Sequence, residues 1–299
     1  MDRLLTMRIF LAVVDEGGFA PAARRLSVSP PAVTRAVTEL EATMGVHLLT
    51  RTTRVVRVTD VGQRYATDCR RILADVAEAE QAATGTHTAP RGRITITAPV
   101  LFGQLHVAPI VAEYLRRHPD AAVDCLFVDR NVNLIDEGVD VAVRIGRLPD
   151  SSFQAVRVGQ VRQVVCASPA YLAQHGVPST PQALQKFDIV LSLGVTSSPL
   201  WRFEADGRPL TVRLETRMTT STNDAAIRTV VAGFGITRVL SYMVADHLAA
   251  GTLVALLPEY MSPPVPVHVI HHEGRHAARK VRAFLDLAIE MLHACPALK

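Results

Sequence analysis

The sequence predicts a chain in two parts: a short all-α unit that ends in a small hairpin, then a larger α/β body. Three observations carry this. Apolar residues recur at helical spacing up to Gly45, and a run of β-branched residues mixed with arginine follows at 50–58. Beyond Arg93, apolar runs of strand length alternate with helical stretches. At 299 residues the chain has room for two domains of about 150 residues each. A composition of 48% hydrophobic and 20% charged residues is that of a globular protein.

In the first part, Leu4, Met7, Phe10 and Val14 lie at helical spacing, and Gly17-Gly18 stops the helix. A short second helix runs through Ala20, Ala22, Ala23 and Leu26, whose small side chains let another helix come close. Ser27-Val28-Ser29 then makes a tight turn. Ser29 is placed to cap a third helix whose first position is Pro30, where a missing N–H costs nothing. That helix buries Val33, Val37, Leu40 and Met44, turns Thr34, Arg35 and Thr38 to solvent, and closes at Gly45. This is the layout of a helix-turn-helix, which seats its second helix in a DNA major groove. Residues 50–58 read as a hairpin, or wing, with Arg51 and Arg54 placed to grip flanking phosphates.

The net charge of +4 argues only weakly for a nucleic-acid partner, but its distribution says more. Between Phe19 and Val58 stand Arg24, Arg25, Arg35, Arg51, Arg54 and Arg57, against Glu39 and Glu41 alone. Lysine occurs only at Lys186, Lys280 and Lys299, so nearly all positive charge sits on fork-shaped guanidinium groups suited to phosphates and base edges. That bias runs along the whole chain. For any one of these arginines the alternative is a solvated surface charge; six on one compact unit read as DNA contact.

Thr59 and Asp60 can cap the next helix, which continues to about Thr84. Its apolar or small residues, Val61, Tyr65, Cys69, Ile72, Val76, Ala79 and Ala83, step at close to 3.5 residues, the period of a helix packed along a partner helix. This predicts a dimerisation seam; the other reading is packing against the chain's own body. Residues 85–92 form a linker and domain boundary. The expected division is a winged helix-turn-helix at 1–60, a dimerisation helix at 61–84, a hinge at 85–92 and an α/β domain at 93–299.

Within that domain, strands are expected at 94–98, 122–128, 139–145 and 161–167, with helical stretches between the first three. Further strands are expected near 189–191, 210–215 and 266–271, with a helix at 223–232. A final amphipathic helix carries Val281, Phe284, Leu285, Ala288 and Leu292.

Several function classes are excluded. No apolar stretch approaches the ~20 residues of a membrane-spanning helix. Asp15, Glu16 and two glycines come too early for a signal peptide, so the expectation is a cytoplasmic protein. Cys69, Cys125, Cys166 and Cys295 are far apart and form no metal or redox spacing, so reduced thiols are expected. His271, His272 and His276 are the densest set of metal-ligating side chains, but no cysteine or carboxylate pair accompanies them, and they read as surface histidines. Ser192 and Ser221 sit in no nucleophile elbow, and no acid, base and nucleophile converge. Neither a catalytic set, a metal nor a cofactor is expected. Gly233-Phe234-Gly235 is too sparse for a dinucleotide loop and follows a helix instead of preceding one.

Taken together, these residues resemble the LysR-type transcriptional regulators. The N-terminal elements that carry the likeness are Gly18-Phe19, Ala22-Ala23, Leu26, Ala32-Val33-Thr34-Arg35, Leu40-Glu41, Gly45, the run 48–54 and Thr59-Asp60-Val61-Gly62. In the C-terminal half they are Arg93-Ile94-Thr95-Ile96, Phe102-Gly103, Pro109, Pro119, Asn133-Leu134, the run 140–144, Trp201, Gly233-Phe234-Gly235-Ile236 and Val281-Arg282-Ala283-Phe284. The resemblance implies a C-terminal half folded like a periplasmic binding protein, with two α/β subdomains joined by crossing strands and a small-molecule effector in the cleft. Subdomain I would be 93–160 with 265–299, and subdomain II 161–264. It further implies a homodimer or homotetramer on promoter double-stranded DNA.

Carried over by position, Thr34 and Arg35 match recognition-helix contacts, Arg51 the arginine after the wing's start, and Arg54 a wing contact. Ser29, Pro30, Pro31 and Thr53 complete the DNA-facing set. Many relatives carry an amide where this chain has Pro30; proline cannot pair bidentately with adenine, though apolar contact with a thymine methyl remains open to it.

Effector contacts are implied just after the first strand, at Pro99, Val100, Leu101 and Phe102, and open α/β sheets bind ligands beyond strand carboxyl ends. Arg144 ends another strand, where it holds an anionic group, makes a structural salt bridge or is a solvated strand end. Ser192, Leu193, Ser221 and Asn223 fall on the facing side. A simple solute-binding protein would explain this half, but neither the missing export signal nor the helical N-terminal part.

Overall fold

The computed structural model describes residues 2–51, 56–83, 89–148, 153–194, 198–205, 207–271 and 278–299, without the side chains of Arg51, Arg71, Asp75, Glu78, Ala79 and 81–83. The chain divides into two compact units, Met1–Gly92 and Arg93–Lys299.

The first unit opens with α1 (Arg3–Glu16), whose first turn is capped by Asp2 accepting from the Leu4 N–H at 3.0 Å. Gly17, in the left-handed region, ends it. Helices α2 (Phe19–Leu26) and α3 (Pro30–Met44) are joined by a turn in which Ser27 is left-handed. Ser29 occupies the cap position of α3, but its hydroxyl caps nothing. The reason lies in the next two residues: Pro30 and Pro31 offer no N–H, and the first N–H available, that of Ala32, bonds to the Ser29 carbonyl at 3.0 Å.

Strands β1 (Leu49–Arg51) and β2 (Val56–Val58) pair antiparallel, Leu49 opposite Val58, as the wing reading requires. Thr53 and Arg54 lie outside the described residues. Helix α4 (Asp60–Ala83) follows, capped as expected: the Thr59 hydroxyl accepts from the Gly62 N–H at 2.9 Å.

The core of this unit is built from Phe10, Val13, Ala22, Ala23, Val33, Val37, Leu40 and Leu48, all nearly or fully buried. Removing a side chain such as Phe10 from so closed a site costs about 3–5 kcal/mol. Cys69 and Ala66 of α4 are fully buried in the same core, with Tyr65 and Ile72 packed against it; Tyr65 lies 5.5 Å from Phe10, ring to ring. The seam expected from 61 to 83 is therefore divided. Cys69 has no surface left for a partner, because α1 already covers that stripe, whereas Val61 is exposed and Val76 half-buried.

The second unit begins with β3 (Gly92–Ala98), then α5 (Val100–Phe102), a π-helical turn at Gly103–Val107 and α6 (Ala108–Arg117). Next come β4 (Ala121–Phe127), β5 (Val141–Ile145), β6 (Gln154–Val161) and β7 (Gln163–Ala167). Helix α7 (Pro169–His175) leads to β8 (Ile189–Ser192), β9 (Leu200–Ala205), β10 (Arg208–Arg213) and β11 (Thr216–Thr220). The chain continues through α8 (Asn223–Val231), β12 (Thr237–Leu240), α9 (Ser241–Ala249) and β13 (Val254–Leu256), and ends with β14 (Val265–His271) and α10 (Arg279–Ala294).

Strands β4-β3-β5-β14-β6 form one five-stranded sheet in that order, with β3 and β5 parallel and β14 antiparallel to both its neighbours. A second layer contains β12-β7-β13 and the parallel pair β11-β8, tied together by a bridge between Ile189 and Ile236. The chain passes from the first sheet to the second at Arg162, between β6 and β7. Arg162 is pinned there by reciprocal bonds with Ser241: its N–H donates to the Ser241 hydroxyl at 3.1 Å, and its carbonyl accepts from the Ser241 N–H at 2.7 Å.

The α/β alternation expected from the sequence is present, with differences. No helix joins β4 to β5; residues 134–138 form turns, because the Asn133 side chain takes the Ile135 N–H at 3.2 Å and Gly138 adopts a left-handed conformation. The strand expected at 161–167 is the end of β6, the crossing residue and β7. Most of β6, strands β9, β11, β12 and β13 and helices α7 and α9 had no clear sequence signal; β12 is only four residues long and carries a charged Arg238.

Candidate nucleic-acid interface and effector cavity

On the first unit, the solvent face of α3 presents Pro31, Arg35 and Thr38, with Thr34 half-buried beside them and Ser29 and Pro30 exposed at its start. The opposite face holds Val33, Ala36, Val37, Leu40 and Glu41 in the core, so packing alone decides which residues are offered outward. The buried Glu41 carboxylate accepts from the N–H groups of Leu48 and Leu49 at 2.8 and 3.0 Å, locking the start of β1 against α3. Gly62 is equally constrained: a Cβ there would stand 2.0 Å from the Leu48 carbonyl oxygen. Helix α3, the wing base and α4 are thus held in one arrangement.

Arg24, Arg35 and Arg57 are exposed and make no ion pair among the described residues, so their charge is available to phosphate. Arg25 differs. It pairs with Glu16 at 3.1 Å and lies 3.7 Å from Asp15, so part of the basic character counted from sequence is spent within the unit. The acidic pair Asp15-Glu16 at the end of α1 was the available signal.

In the second unit, a cavity of about 330 Å³ opens at the carboxyl ends of the first sheet's strands. Pro99 follows β3, residues 128–131 follow β4, and Arg144, Ile145 and Gly146 end β5. The facing wall is Gln163, Gly194, Leu240, Tyr242 and Met243, with Val265 at the start of β14.

Of the residues singled out from sequence, Pro99 and Arg144 line this cavity. Leu101 and Phe102 are buried in the core, and Val100 is half-buried, outside the cavity lining, with its N–H bonded to Asp129 Oδ1 at 3.0 Å. Ser192 and Asn223 are buried partners, Ser192 Oγ donating to Asn223 Oδ1 at 2.7 Å; Leu193 and Ser221 are exposed. What this pair does is hold Gly194, whose place leaves no room for a side chain between Asn223 Nδ2 and Asp129 Oδ2. Sequence reasoning missed the 128–131 loop and Tyr242. The rule that ligands sit beyond strand ends, applied to β4 as to β3, reaches the loop.

Arg144 is half-buried and makes no salt bridge among the described residues; its guanidinium donates weakly, at 3.4 Å, to the carbonyls of Val143 and Val132. Burial opposes its charge, and the nearby Glu137 carboxylate favours it. The Tyr242 hydroxyl is buried without a hydrogen-bond partner among the described residues, and burial and the Asp129 carboxylate both push its pKa well up, so it stays protonated. Among the described residues no group of three or more His, Cys, Asp or Glu is disposed to hold a metal, and no helix is long and apolar enough to cross a membrane. His271, expected as a surface histidine, is buried at the end of β14, and His272 and His276 lie outside the described residues.

Residues 4–63 match the family model of the bacterial regulatory helix-turn-helix protein, lysR family, and residues 87–292 that of the LysR substrate binding domain. A transcriptional repressor of Pseudomonas aeruginosa strain UCBPP-PA14 is 32% identical over 301 residues, covering all of this chain and 95% of that protein. The regulator CrgA of Neisseria meningitidis serogroup B is 31% identical, covering 96% of each chain. A solved structure of CrgA from Neisseria meningitidis, described as a LysR-type transcriptional regulator, gives a TM-score of 0.63 at 29% identity over 96% of this chain and 98% of that one. The full-length Vibrio cholerae virulence activator AphB gives 0.62 at 25% identity, over 96% and 99%. These relatives are regulators, not enzymes. With one family model on its helical unit and the other on its α/β unit, the chain belongs to the LysR family of DNA-binding transcriptional regulators.

Proposed function

We propose that this regulator binds promoter double-stranded DNA as a homodimer or homotetramer in the cytoplasm and that a small anionic effector, held in the cavity of the second unit, alters that binding. The supporting observation is the outward face of α3, where Thr34 and Arg35 stand over a packed core with Arg24 and Arg57 on the same unit. Thr34 and Arg35, with Ser29, Pro30 and Pro31 at the helix start, meet the bases; Arg51, Thr53 and Arg54 meet the flanking phosphates. Winged helix-turn-helix 1–60, helix 61–84 and hinge 85–92 precede subdomain I (93–160 with 265–299) and subdomain II (161–264). Val61, Val76, Ala79 and Ala83 form what remains of the dimerisation seam, a two-fold arrangement matching a palindromic site.

For the effector, the reading rests on Arg144, a half-buried cation that among the described residues hydrogen-bonds only to carbonyls and lines a cavity large enough for a small molecule. A thermal-shift screen of small carboxylates tests it. A ligand that binds the folded state raises the melting temperature, and Arg144→Ala abolishes the rise while DNA affinity without ligand is kept. Ligands that stabilise both proteins equally would remove Arg144 from the site.

A further inference from the structure

Among the described residues three charged side chains, Asp129, Arg130 and Arg144, line the cavity and a fourth, Glu137, stands beside it, and they are not equivalent. Arg130 is spent on Glu137, its two terminal nitrogens 2.7 and 2.6 Å from the two carboxylate oxygens. Among the described residues Arg144 donates hydrogen bonds only to carbonyls, with the Glu137 carboxylate nearby but already held by Arg130. Asp129 accepts from the Val100 N–H at the start of the helical segment, so the helix terminus that ordinarily attracts an anion is filled by the protein's own carboxylate. A ligand's carboxylate is therefore directed to Arg144.

Asp129 follows β4 and Arg144 ends β5, with β3 between them in the sheet. Two inter-strand steps separate the two positions by roughly 10 Å. The cavity thus has a cationic end and an anionic end, with Pro99 between them. Tyr242, held protonated, adds no second negative charge beside Asp129.

On the effector reading above, we propose that this cavity selects small carboxylates whose far end donates a hydrogen bond, an amino or hydroxy group, with the carboxylate on Arg144 and the donor on Asp129. A dicarboxylate would bring its second charge against Asp129, a like-charge approach that acts as rejection.

Isothermal titration of the full-length protein with 5-aminopentanoate, 5-hydroxypentanoate, pentanoate and pentanedioate tests this on one carbon skeleton. The amino and hydroxy acids should bind at least about tenfold more tightly than pentanedioate. Asp129→Asn, which keeps an oxygen to accept from Val100, should erase that difference by strengthening pentanedioate, and Arg144→Gln should weaken all four. Equal affinities that Arg144→Gln abolishes would overturn the charge selection and leave the anion-binding cavity standing. Tighter binding of pentanedioate to the unaltered protein, or an order unchanged by Asp129→Asn, also overturns it. Binding of none of the four overturns it as well, and the carboxylate screen with Arg144→Ala then decides the underlying effector reading separately.

Discussion

Glu41 Oε1 lies 2.8 Å from the backbone nitrogen of Leu48, a buried carboxylate of the recognition helix satisfying the first residues of the wing. Removing it leaves two buried N–H groups, of Leu48 and Leu49, without their acceptor. Glu41→Ala should therefore destabilise the first unit by about 2–3 kcal/mol. DNA affinity should fall although the residue reaches no DNA, and Glu41→Gln, which keeps an acceptor oxygen, should fall less. Chemical denaturation followed by DNA titration checks both; a Glu41→Ala protein of unchanged stability would contradict the assigned role.

Gly62 is a test of the same junction from the other side. Any side chain there meets the backbone of Leu48, with the added Cβ 2.0 Å from its carbonyl oxygen, so α4 must shift against the wing base. Gly62→Ala should abolish DNA binding and leave thermal stabilisation of the second unit by ligand intact. DNA binding within about twofold of the unaltered protein would show that the junction yields freely.

Val76, half-buried and not part of the first unit's core, probes the proposed seam. Val76→Asp places a carboxylate on the proposed helix-to-helix seam, where burying an unpaired charge is prohibitive. The sedimenting mass should drop to that of the monomer. An unaltered mass would place the subunit interface elsewhere.

Tyr114 gives a pH dependence with a definite sign. Its hydroxyl donates to the Lys280 carbonyl at 2.9 Å, joining α6 to α10, and burial pushes its pKa up from 10.0 to about 12. Above the unfolded pKa the unfolded chain releases this proton while the folded chain keeps it. The contribution is thus complete below about pH 10 and is lost as pH rises towards about 12. Urea midpoints measured from about pH 9 to about pH 11 should fall, and fall less steeply in Tyr114→Phe. Equal slopes would mean the phenol titrates alike in both states.

How much of this was legible in the sequence depends on how local each signal is. The helix-turn-helix is readable because its periodicity, its turn and its left-handed Gly45 lie within one short stretch. The cavity is assembled from segments more than a hundred residues apart: the position of Asp129 just beyond β4 is the one sign that points to it, and Tyr242 carries no mark that distinguishes it from other polar residues. Arg144 was visible only as a strand end. Cys69 shows the opposite failure: its spacing fits a dimer seam and a private core equally, and only the position of α1 decides.

The central claim, that the outward face of α3 reads DNA, is tested most directly by fluorescence anisotropy of the chain's own upstream DNA and a scrambled duplex over a range of salt. The account predicts tighter binding to the upstream DNA and a log–log salt slope of about −0.9 per phosphate neutralised. It also predicts that Arg35→Ala weakens upstream binding by about 1–3 kcal/mol and scrambled binding much less. Equal affinity for the two duplexes, or an equal loss on both with Arg35→Ala, would contradict it.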